Sequence, residues 1–250
     1  MPKWNRGKIV SVTLDNGYNQ VESKFFNRVF TAFAILALLS LLISFAGREL
    51  GAKLTMGGHT DDTTSHEIII GNDVIVLPAN MIRYPEQRRD GVANRLDLYV
   101  MWPTMRGYTS QSKAIFNNAI DKKNKLIFIS VEPRTLSRDM SDRYEPIYKA
   151  MIDKPGVSLS NGLTRFPLPE KSGFMDEELY VGPATGNRPF VARCLNAQTA
   201  QTSIAPCDRD IHIGDDLVLM VRFPAELLDN WPQLDAQLAT FANTIVKTAK

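Results

Sequence analysis

The chain has 250 residues, a formal net charge of +2, 44% hydrophobic residues and 22% charged residues. This is the composition of an ordinary folded domain, and the small net charge argues against nucleic-acid binding. No block of like charges marks a segment that binds acidic partners or lipid headgroups.

An apolar run from Phe30 to Gly47 (FTAFAILALLSLLISFAG) contains no charged residue. Its length is close to the roughly 20 residues that a helix needs to cross a bilayer. We therefore predict a transmembrane anchor over residues 29–47, which contacts the lipid. The anchor separates a tail (1–28) from a polar linker (48–65) and an outer domain (66–250).

The orientation of the anchor is predicted from its flanking charges, because positive charge stays on the cytoplasmic side of a membrane helix. The residues after the run mix Arg48 and Lys53 with Glu49, Asp61 and Asp62. The tail before it has a basic excess over Asp15 and Glu22, formed by Lys3, Arg6, Lys8, Lys24 and Arg28. The N-terminus is therefore predicted to be cytoplasmic, with the domain outside.

A cleaved signal peptide and a buried core helix are the two alternatives to a permanent anchor. Ser44-Phe45-Ala46 is a small-x-small triplet that a signal peptidase could cleave. However, the run is longer than the usual 7–15 apolar residues of a signal peptide, and about 28 residues precede it. A buried core helix would need a polar stripe, and Ser40 and Ser44 are too few to form one. The uncleaved anchor is favoured.

Cys194 and Cys207 are the two cysteines of the chain, and both lie in the outer domain beside strand-like segments. In an oxidising compartment such a pair is most simply a disulfide. Their spacing is not the CxxC of a redox motif or zinc site, and no basic partner marks a catalytic thiol.

The first half of the outer domain predicts strands and short helices. Two Ile- and Val-rich runs, 67–70 and 74–77, flank turn residues and predict a hairpin. Segment 94–102 alternates like a half-buried strand, with Leu96, Leu98 and Val100 on one face. A helix capped by Thr109 or Ser110 is predicted up to Asp121, a strand over 125–132, and a helix over 137–152 in two pieces around Pro146.

The second half predicts further strands and a final helix. Residues 155–175 are typical of a long loop, and strands are expected over 178–181, 189–195, 210–213 and 217–224. An apolar stripe then indicates an amphipathic helix. The stripe is formed by Leu234, Leu238, Phe241, Ile245 and Val246. The predicted class is α+β, with an antiparallel sheet packed by the C-terminal helix and preceded by one transmembrane helix.

No motif predicts a metal, a cofactor or a catalytic residue. His59 and His66 flank an acidic pair, but their spacing matches no zinc signature. Residues 182–188 lack the Lys and Ser/Thr of a phosphate-binding loop and are read as a hairpin connection. His212 and Asp210 are predicted to share an outward strand face, with a catalytic role as the minor alternative.

A polar cluster over residues 134–145 predicts a surface ion-pair network, with Asp139 and Arg143 at the i,i+4 spacing of a helix. A paired-carboxylate site acting on a glycan is the alternative reading of this cluster.

Two exposed-looking segments are candidate interaction surfaces. One is a basic segment in which an aromatic residue lies beside Arg83, Arg88 and Arg89. The alternative interpretation of this segment is a solvated loop with no partner. The other is rich in aromatic and methionine side chains, which are enriched at binding surfaces but also occur at core edges. Its members are Trp102, Met105 and Tyr108.

The phrases NDVIVLPANMIRYPEQRRDG, RLDLYVMWP, RCLN and CDRDIHIGDDL resemble a group of uncharacterised single-pass membrane proteins of alphaproteobacterial type. The resemblance implies a bacterial inner membrane and a periplasmic domain. It implies no activity, so it transfers no catalytic or binding residue to this chain.

Together these observations favour a non-catalytic scaffold or protein-interaction module of the cell envelope, with an envelope protein as its partner. A periplasmic ligand-binding or sensory domain is the first alternative. It would show a pocket with a few convergent polar groups. An unrecognised envelope hydrolase is the second, and it would gather His212 or the acids Asp139 and Asp142 in a cleft.

Overall fold

The computed structural model describes residues 23–56, 58–117, 125–185 and 188–247. Its first element is the long helix α1, Ser23–Met56. Within α1, the 21 residues Phe25–Phe45 are long and apolar enough to cross a membrane, and none of their side chains is buried. Most of the tail, including Lys3, Arg6 and Lys8, lies outside the described residues.

The helix is longer than the anchor predicted over residues 29–47. It begins six residues earlier and includes residues 48–56, which the sequence assigned to a linker. Arg48, Glu49, Leu50, Ala52 and Lys53 favour helix, so a helix that has already nucleated continues through them. The chain contacts divide into one compact unit up to Thr55 and a second from Met56 onwards.

The second unit contains a small sheet and a large one. The small sheet has the strand order β2-β1-β3, with β1 at Ser65–Ile70, β2 at Asp73–Pro78 and β3 at Gly91–Val92. β1 and β2 pair antiparallel around a turn at Gly71, which has a φ of 59°. The predicted hairpin is therefore confirmed, because glycine adopts this left-handed conformation without strain.

The large sheet has eight strands in the order β4-β5-β11-β10-β9-β8-β7-β6, and all of the pairings are antiparallel. The predicted α+β class is confirmed. The strand bounds are β4 Leu96–Met101, β5 Leu126–Pro133, β6 Val157–Ser158, β7 Thr164–Pro167, β8 Glu177–Thr185, β9 Arg188–Leu195, β10 Cys207–Ile213 and β11 Leu217–Phe223.

One face of this sheet holds the main hydrophobic core. The predicted stripe of β4 is fully buried there, and it meets apolar residues of β5 and β11 such as Ile129 and Leu219. The C-terminal helix α4, Trp231–Ile245, packs on this core through Leu234 and Leu238, which have no exposed surface. Val246 lies just past the helix, where its backbone bridges to Ile75.

Arg209 is the charged exception on the core-facing side of β10. Its guanidinium donates to Val191 O at 2.6 Å and to Asp235 of α4 at 2.7 Å, and it lies over the Phe190 ring. Burial lowers the pKa of Arg209, and Asp235 partly offsets that effect. The buried charge thus has both a carboxylate and a carbonyl partner, as burial requires.

The two predicted inner helices are shorter than expected. Thr109 caps a turn of 3₁₀ helix, Ser110–Ser112, that leads into α2, Lys113–Phe116, and residues 118–124 lie outside the described part. Segment 137–152 holds a π-helical turn at Tyr144–Tyr148 and a brief α3, Lys149–Met151. Pro146 cannot donate a helical hydrogen bond, which explains the irregular turn.

The two cysteines lie directly opposite each other where β9 pairs with β10. Their Cα atoms are 3.9 Å apart and their sulfur atoms are 2.01 Å apart, as a disulfide between Cys194 and Cys207. Beyond the next pair, Asp208 with Arg193, the register between the two strands ends. The covalent link therefore sits at the short contact between the two halves of the large sheet.

Candidate functional site

The second face of the large sheet carries a depression that segment 134–148 covers in part, which we name the open groove. Strand register places three rows of side chains on its floor, because cross-strand partners share a face. The rows are Phe128–Arg222–Asp208–Arg193, Ser130–Met220–Asp210 and Glu132–Val218–His212. Polar and charged residues dominate these rows, in contrast to the opposite face.

Two cavities make up the groove. The first, of about 560 Å³, lies over the Phe128 row and reaches Arg83 and Arg95. The second, of about 830 Å³, lies over the His212 row and reaches segment 134–148. Both are lined by Glu132, Arg193, Asp208 and Met220, so they are continuous.

Apolar clusters flank the groove on both sides, and we call them its walls. On the β4 side, Tyr99, Tyr108 and Phe116 pack together, with ring centroids 4.9–5.5 Å apart. On the β8 side, a second cluster contains Met140, Tyr148 and Leu179. Beside this cluster, Leu136 and Ile147 line the larger cavity. Their side chains are 55% and 42% exposed. The groove thus has a charged floor and a partly apolar rim.

Arg193 forms the central ion pair of the floor. It donates to Asp208 at 2.9 Å, lies 3.4 Å from Glu177 and stacks over the Phe174 ring at 4.4 Å. Burial raises the pKa of Glu177, and the nearby Arg193 charge offsets this only in part. Through these contacts the Arg193 side chain links β8, β9 and β10.

Arg143 pairs with Asp210, not with Asp139 as the helical spacing predicted. The Arg143–Asp210 distance is 2.7 Å, and both side chains are largely buried. Burial raises the pKa of Asp210, although Arg143 lowers it in part. The prediction that Asp210 lies on an outward polar face was therefore wrong, because segment 134–148 covers this part of β10.

Asp139 is also buried, and its side-chain partner is Arg188, which also contacts Asp142. Its carboxylate accepts further from the Asp142 amide at 3.1 Å and the His212 amide at 3.4 Å. Burial alone would raise the pKa of Asp139, but these hydrogen bonds outweigh it and the pKa lies below its usual range. The predicted surface network is present in part, because Arg188 and Asp142 are about half exposed, whereas Asp139 is a buried carboxylate that ties segment 134–148 to the sheet.

His212 and Asp210 both line the larger cavity, as the hydrolase alternative required. Their arrangement does not form a nucleophile and base pair. Ser130 of the neighbouring row donates to Asp97 at 3.3 Å, and Asp210 is held by Arg143. Among the described residues, no serine or cysteine on the groove floor is hydrogen-bonded to His212.

The charges that line the groove are unequally paired. Its five carboxylates each lie within 4.0 Å of an arginine: Asp97 and Glu132 near Arg95, Glu177 and Asp208 near Arg193, and Asp210 near Arg143. Three arginines have no carboxylate at that distance within the described ranges, namely Arg83, Arg134 and Arg222. Because Arg95 and Arg193 each lie near two of these carboxylates, the six arginines of the lining exceed its five carboxylates by one. The groove is therefore close to neutral overall, and its arginines without a carboxylate partner are local features.

The predicted aromatic surface is wrong. Trp102 and Met105 are 8% and 7% exposed and belong to the main core, and Tyr108 is 1% exposed within the β4-side wall. Trp102 joins Pro103 through a cis peptide bond. These residues form a core edge, which was the alternative interpretation. The sequence could not distinguish the two, because aromatic and methionine side chains are common both at binding surfaces and at core edges.

The predicted basic surface is only partly available. The Arg88 guanidinium is used internally, donating to the carbonyls of Gly58 and Ile82 at 2.6 and 3.0 Å. Arg89 is exposed and away from the groove lining. Arg83 lies over the Tyr84 and Phe128 rings at 5.1 and 5.0 Å, so it is the member of this set that reaches the groove.

The two early histidines do not share a site. His59 stacks on Tyr108 and its Nδ1 lies 3.0 Å from the Tyr99 hydroxyl, whereas His66 bonds to Asp90. Burial and the nearby Arg88 and Arg83 charges lower the pKa of His59. Within the described ranges, no group of three or more His, Cys, Asp or Glu side chains could hold a metal ion.

Sequence reasoning missed most of the groove. It singled out Arg83, Arg143, Asp210 and His212, but not Glu177, Arg193, Asp208 or Arg222. The alternation of Asp208, Asp210 and His212 with Arg209 and Ile211 was a readable signal that β10 has a polar face. What joins that face to Arg193 and Arg222 is strand order, which the sequence does not show.

Comparison with known proteins identifies a fold and no family. No protein-family model and no curated protein matches the chain. An immunity protein of the Stenotrophomonas maltophilia type IV secretion system has a similar structure, with a TM-score of 0.50 at 12% identity, over 76% of this chain and 96% of that one. At this identity the likeness concerns the fold alone.

A second structure, the iron-regulated outer membrane lipoprotein FrpD of Neisseria meningitidis, overlaps 74% of this chain and 95% of its own at 13% identity. Its TM-score of 0.43 is too low to support an argument.

Proposed function

We propose that this protein is a non-catalytic interaction module of the bacterial envelope, anchored in the inner membrane by α1 and presenting a periplasmic domain that binds another envelope protein through the open groove. The observation that carries the proposal is the groove itself. It is a wide sheet face that segment 134–148 covers only in part, with a partly apolar rim and three arginines that have no carboxylate within 4.0 Å among the described residues. No serine or cysteine of its described floor is hydrogen-bonded to His212.

Location and orientation belong to the same proposal. The exposed apolar span Phe25–Phe45 supports a membrane anchor, and a Cys194–Cys207 disulfide suits the oxidising periplasm. The basic excess of the tail supports a cytoplasmic N-terminus. The likeness to single-pass proteins of alphaproteobacterial type agrees, and the immunity protein of similar fold is compatible without specifying a partner.

Protease protection tests the orientation. The full-length protein, with a different epitope at each end, is expressed in bacteria and converted to spheroplasts. We expect added protease to remove the C-terminal epitope and to spare the N-terminal one until the membrane is lysed. Loss of the N-terminal epitope from intact spheroplasts would contradict the orientation, and its absence from the mature protein before digestion would support signal cleavage.

Site-specific photo-crosslinking in cells tests the interaction. A photoreactive residue replaces Leu136 at the groove rim, or Val157 on the edge strand β6 as the matched control. Both positions are exposed and apolar, at 55% and 50%. We expect a discrete adduct from Leu136 and none from Val157. The proposal fails if neither position yields an adduct, or if both yield the same products.

Ligand binding is the second candidate, since the larger cavity of about 830 Å³ lies within the range of small-molecule sites. Its charged and open lining favours a macromolecular partner instead. Native mass spectrometry of the full-length protein from membranes would separate the two, because a bound small molecule adds a reproducible mass in the absence of any protein adduct.

A further inference from the structure

The unmatched arginines define what the groove can bind. Every carboxylate of its lining has an arginine partner, and the three arginines with no carboxylate within 4.0 Å among the described residues are distributed along its length. Arg222 lies in the Phe128 row with Arg83 nearby, and Arg134 follows the end of β5 beside the larger cavity. The lining as a whole is close to neutral, so recognition depends on where a partner places its charges. A carboxylate placed beside Arg134 or Arg222 would gain an ion pair, whereas a cation placed there would face like charge.

The apolar part of the groove adds a second requirement. Between the two charged ends lie Met220 and Val218 on the floor and Leu136 and Ile147 on the rim. Leu136 and Ile147 are large apolar side chains left about half exposed to water, at 55% and 42%. An apolar side chain placed over Met220 would remove this surface from water, which is the contact that anchors protein interfaces.

The spacing of the two ends sets the length of the occupant. Six residues of β5 and its continuation separate Phe128 from Arg134, and a strand rises about 3.3 Å per residue. The charged ends are therefore about 20 Å apart, which an extended segment of about seven residues would span.

We propose that the open groove binds an extended acidic segment of a partner protein, with carboxylates at both ends that pair with Arg222 and Arg134 and an apolar residue between them that packs on Met220, Leu136 and Ile147. This inference rests on the proposed function and names the chemistry of the partner. Arg83, stacked on Phe128, adds charge at the Arg222 end.

Fluorescent peptides test this chemistry directly. The probe Asp-Asp-Ser-Leu-Ser-Asp-Asp is compared with Lys-Lys-Ser-Leu-Ser-Lys-Lys and with Asp-Asp-Ser-Ser-Ser-Asp-Asp, using anisotropy with the full-length protein in lipid nanodiscs. We expect the first peptide to bind at least tenfold more tightly than either of the others. Added salt should weaken the binding of this peptide, because Arg134 and Arg222 are exposed and their charges are screened by ions.

Charge reversal provides the decisive variant. In the double variant Arg134→Glu/Arg222→Glu we expect the preference to invert, so that the lysine peptide binds more tightly than the aspartate peptide. Both arginines are exposed, and unchanged thermal melting verifies the fold. Arg138→Glu is the matched control, because Arg138 is an exposed arginine of the same segment that does not line the groove, and it should keep the original preference.

The inference is overturned if the double variant keeps the preference of the unmodified protein, or if no peptide binds. These failures are distinguishable from failure of the proposed function. If Leu136 crosslinks to a protein but acidic peptides do not bind, the protein is an interaction module that recognises its partner by different chemistry. If acidic peptides bind but no adduct forms in cells, the groove has the proposed chemistry and the proposed envelope partner is contradicted.

Discussion

The two faces of the large sheet are built from the same strands and have opposite properties. On the covered face, Leu219 and Ile129 meet the buried Leu234 and Leu238 of α4. On the other face, the alternate residues of the same strands form the open groove, with its ion pairs and uncovered rim. The pleat allows this division, because successive side chains of a strand point to opposite sides. One face stabilises the fold, and the other is left partly open to solvent.

The largest effect is expected on the covered face. Leu234→Ala removes a fully buried side chain from beneath α4 and leaves a cavity, so the free energy of unfolding should fall by about 4 kcal/mol. Urea unfolding of the full-length protein in detergent, followed by tryptophan fluorescence, measures the loss. A change below about 1 kcal/mol would show that α4 is not part of the cooperative core.

A smaller loss is expected at the link between the two halves of the sheet. The double variant Cys194→Ala/Cys207→Ala opens a loop with a sequence separation of 13 residues. In the chain-entropy model such a loop contributes about 3 kcal/mol. The same urea experiment, repeated on the unmodified protein with a reductant, should give a similar loss. If the reductant leaves the midpoint unchanged, the cysteines do not form the disulfide in the purified protein.

The buried tie beneath the groove wall should show a pH-dependent contribution. Because the pKa of Asp139 is lowered in the folded protein, its contribution is present above its unfolded pKa of about 3.9 and is lost as pH falls through the folded value. Asp139→Asn should cost about 1.5 kcal/mol at pH 7, since hydrogen bonds to a charged group are weakened.

The pH series distinguishes this role from a packing role. The difference between the unmodified protein and Asp139→Asn should shrink as the pH is lowered from 5 towards 2.5. Asp142→Asn is the matched control, because Asp142 also contacts Arg188 but is exposed, and its effect should be smaller. A difference between the proteins that stays constant over this pH range would contradict an ionised Asp139.

The smallest stability effect is expected at the groove rim. Leu136→Ser exchanges a side chain that is 55% exposed, so the free energy of unfolding should change by no more than about 0.5 kcal/mol. The same variant should weaken binding of the acidic peptide. A large loss of stability here would mean that the rim belongs to the core, and the functional contrast between the two faces would disappear.

Local patterns predicted the elements whose residues interact with near neighbours in sequence or along one face. The hairpin followed from two β-branched runs around a glycine turn, and the stripe of Leu234, Leu238 and Phe241 identified the face of α4 that is buried. The site was less predictable. Arg143 pairs with Asp210 across 67 positions and Arg188 with Asp139 across 49, whereas the i,i+4 spacing suggested a local pair.

By itself, the sequence determined the α+β class, the apolar span and the alternation that divides each strand into two faces, because these depend on residue type and short-range periodicity. Only the tertiary structure decided that Trp102, Met105 and Tyr108 are buried and that Asp210 faces Arg143. It also decided that Arg134 and Arg222 have no carboxylate within 4.0 Å among the described residues. Burial and charge pairing depend on strand order and on what covers each face, and these are set by contacts between residues far apart in the chain.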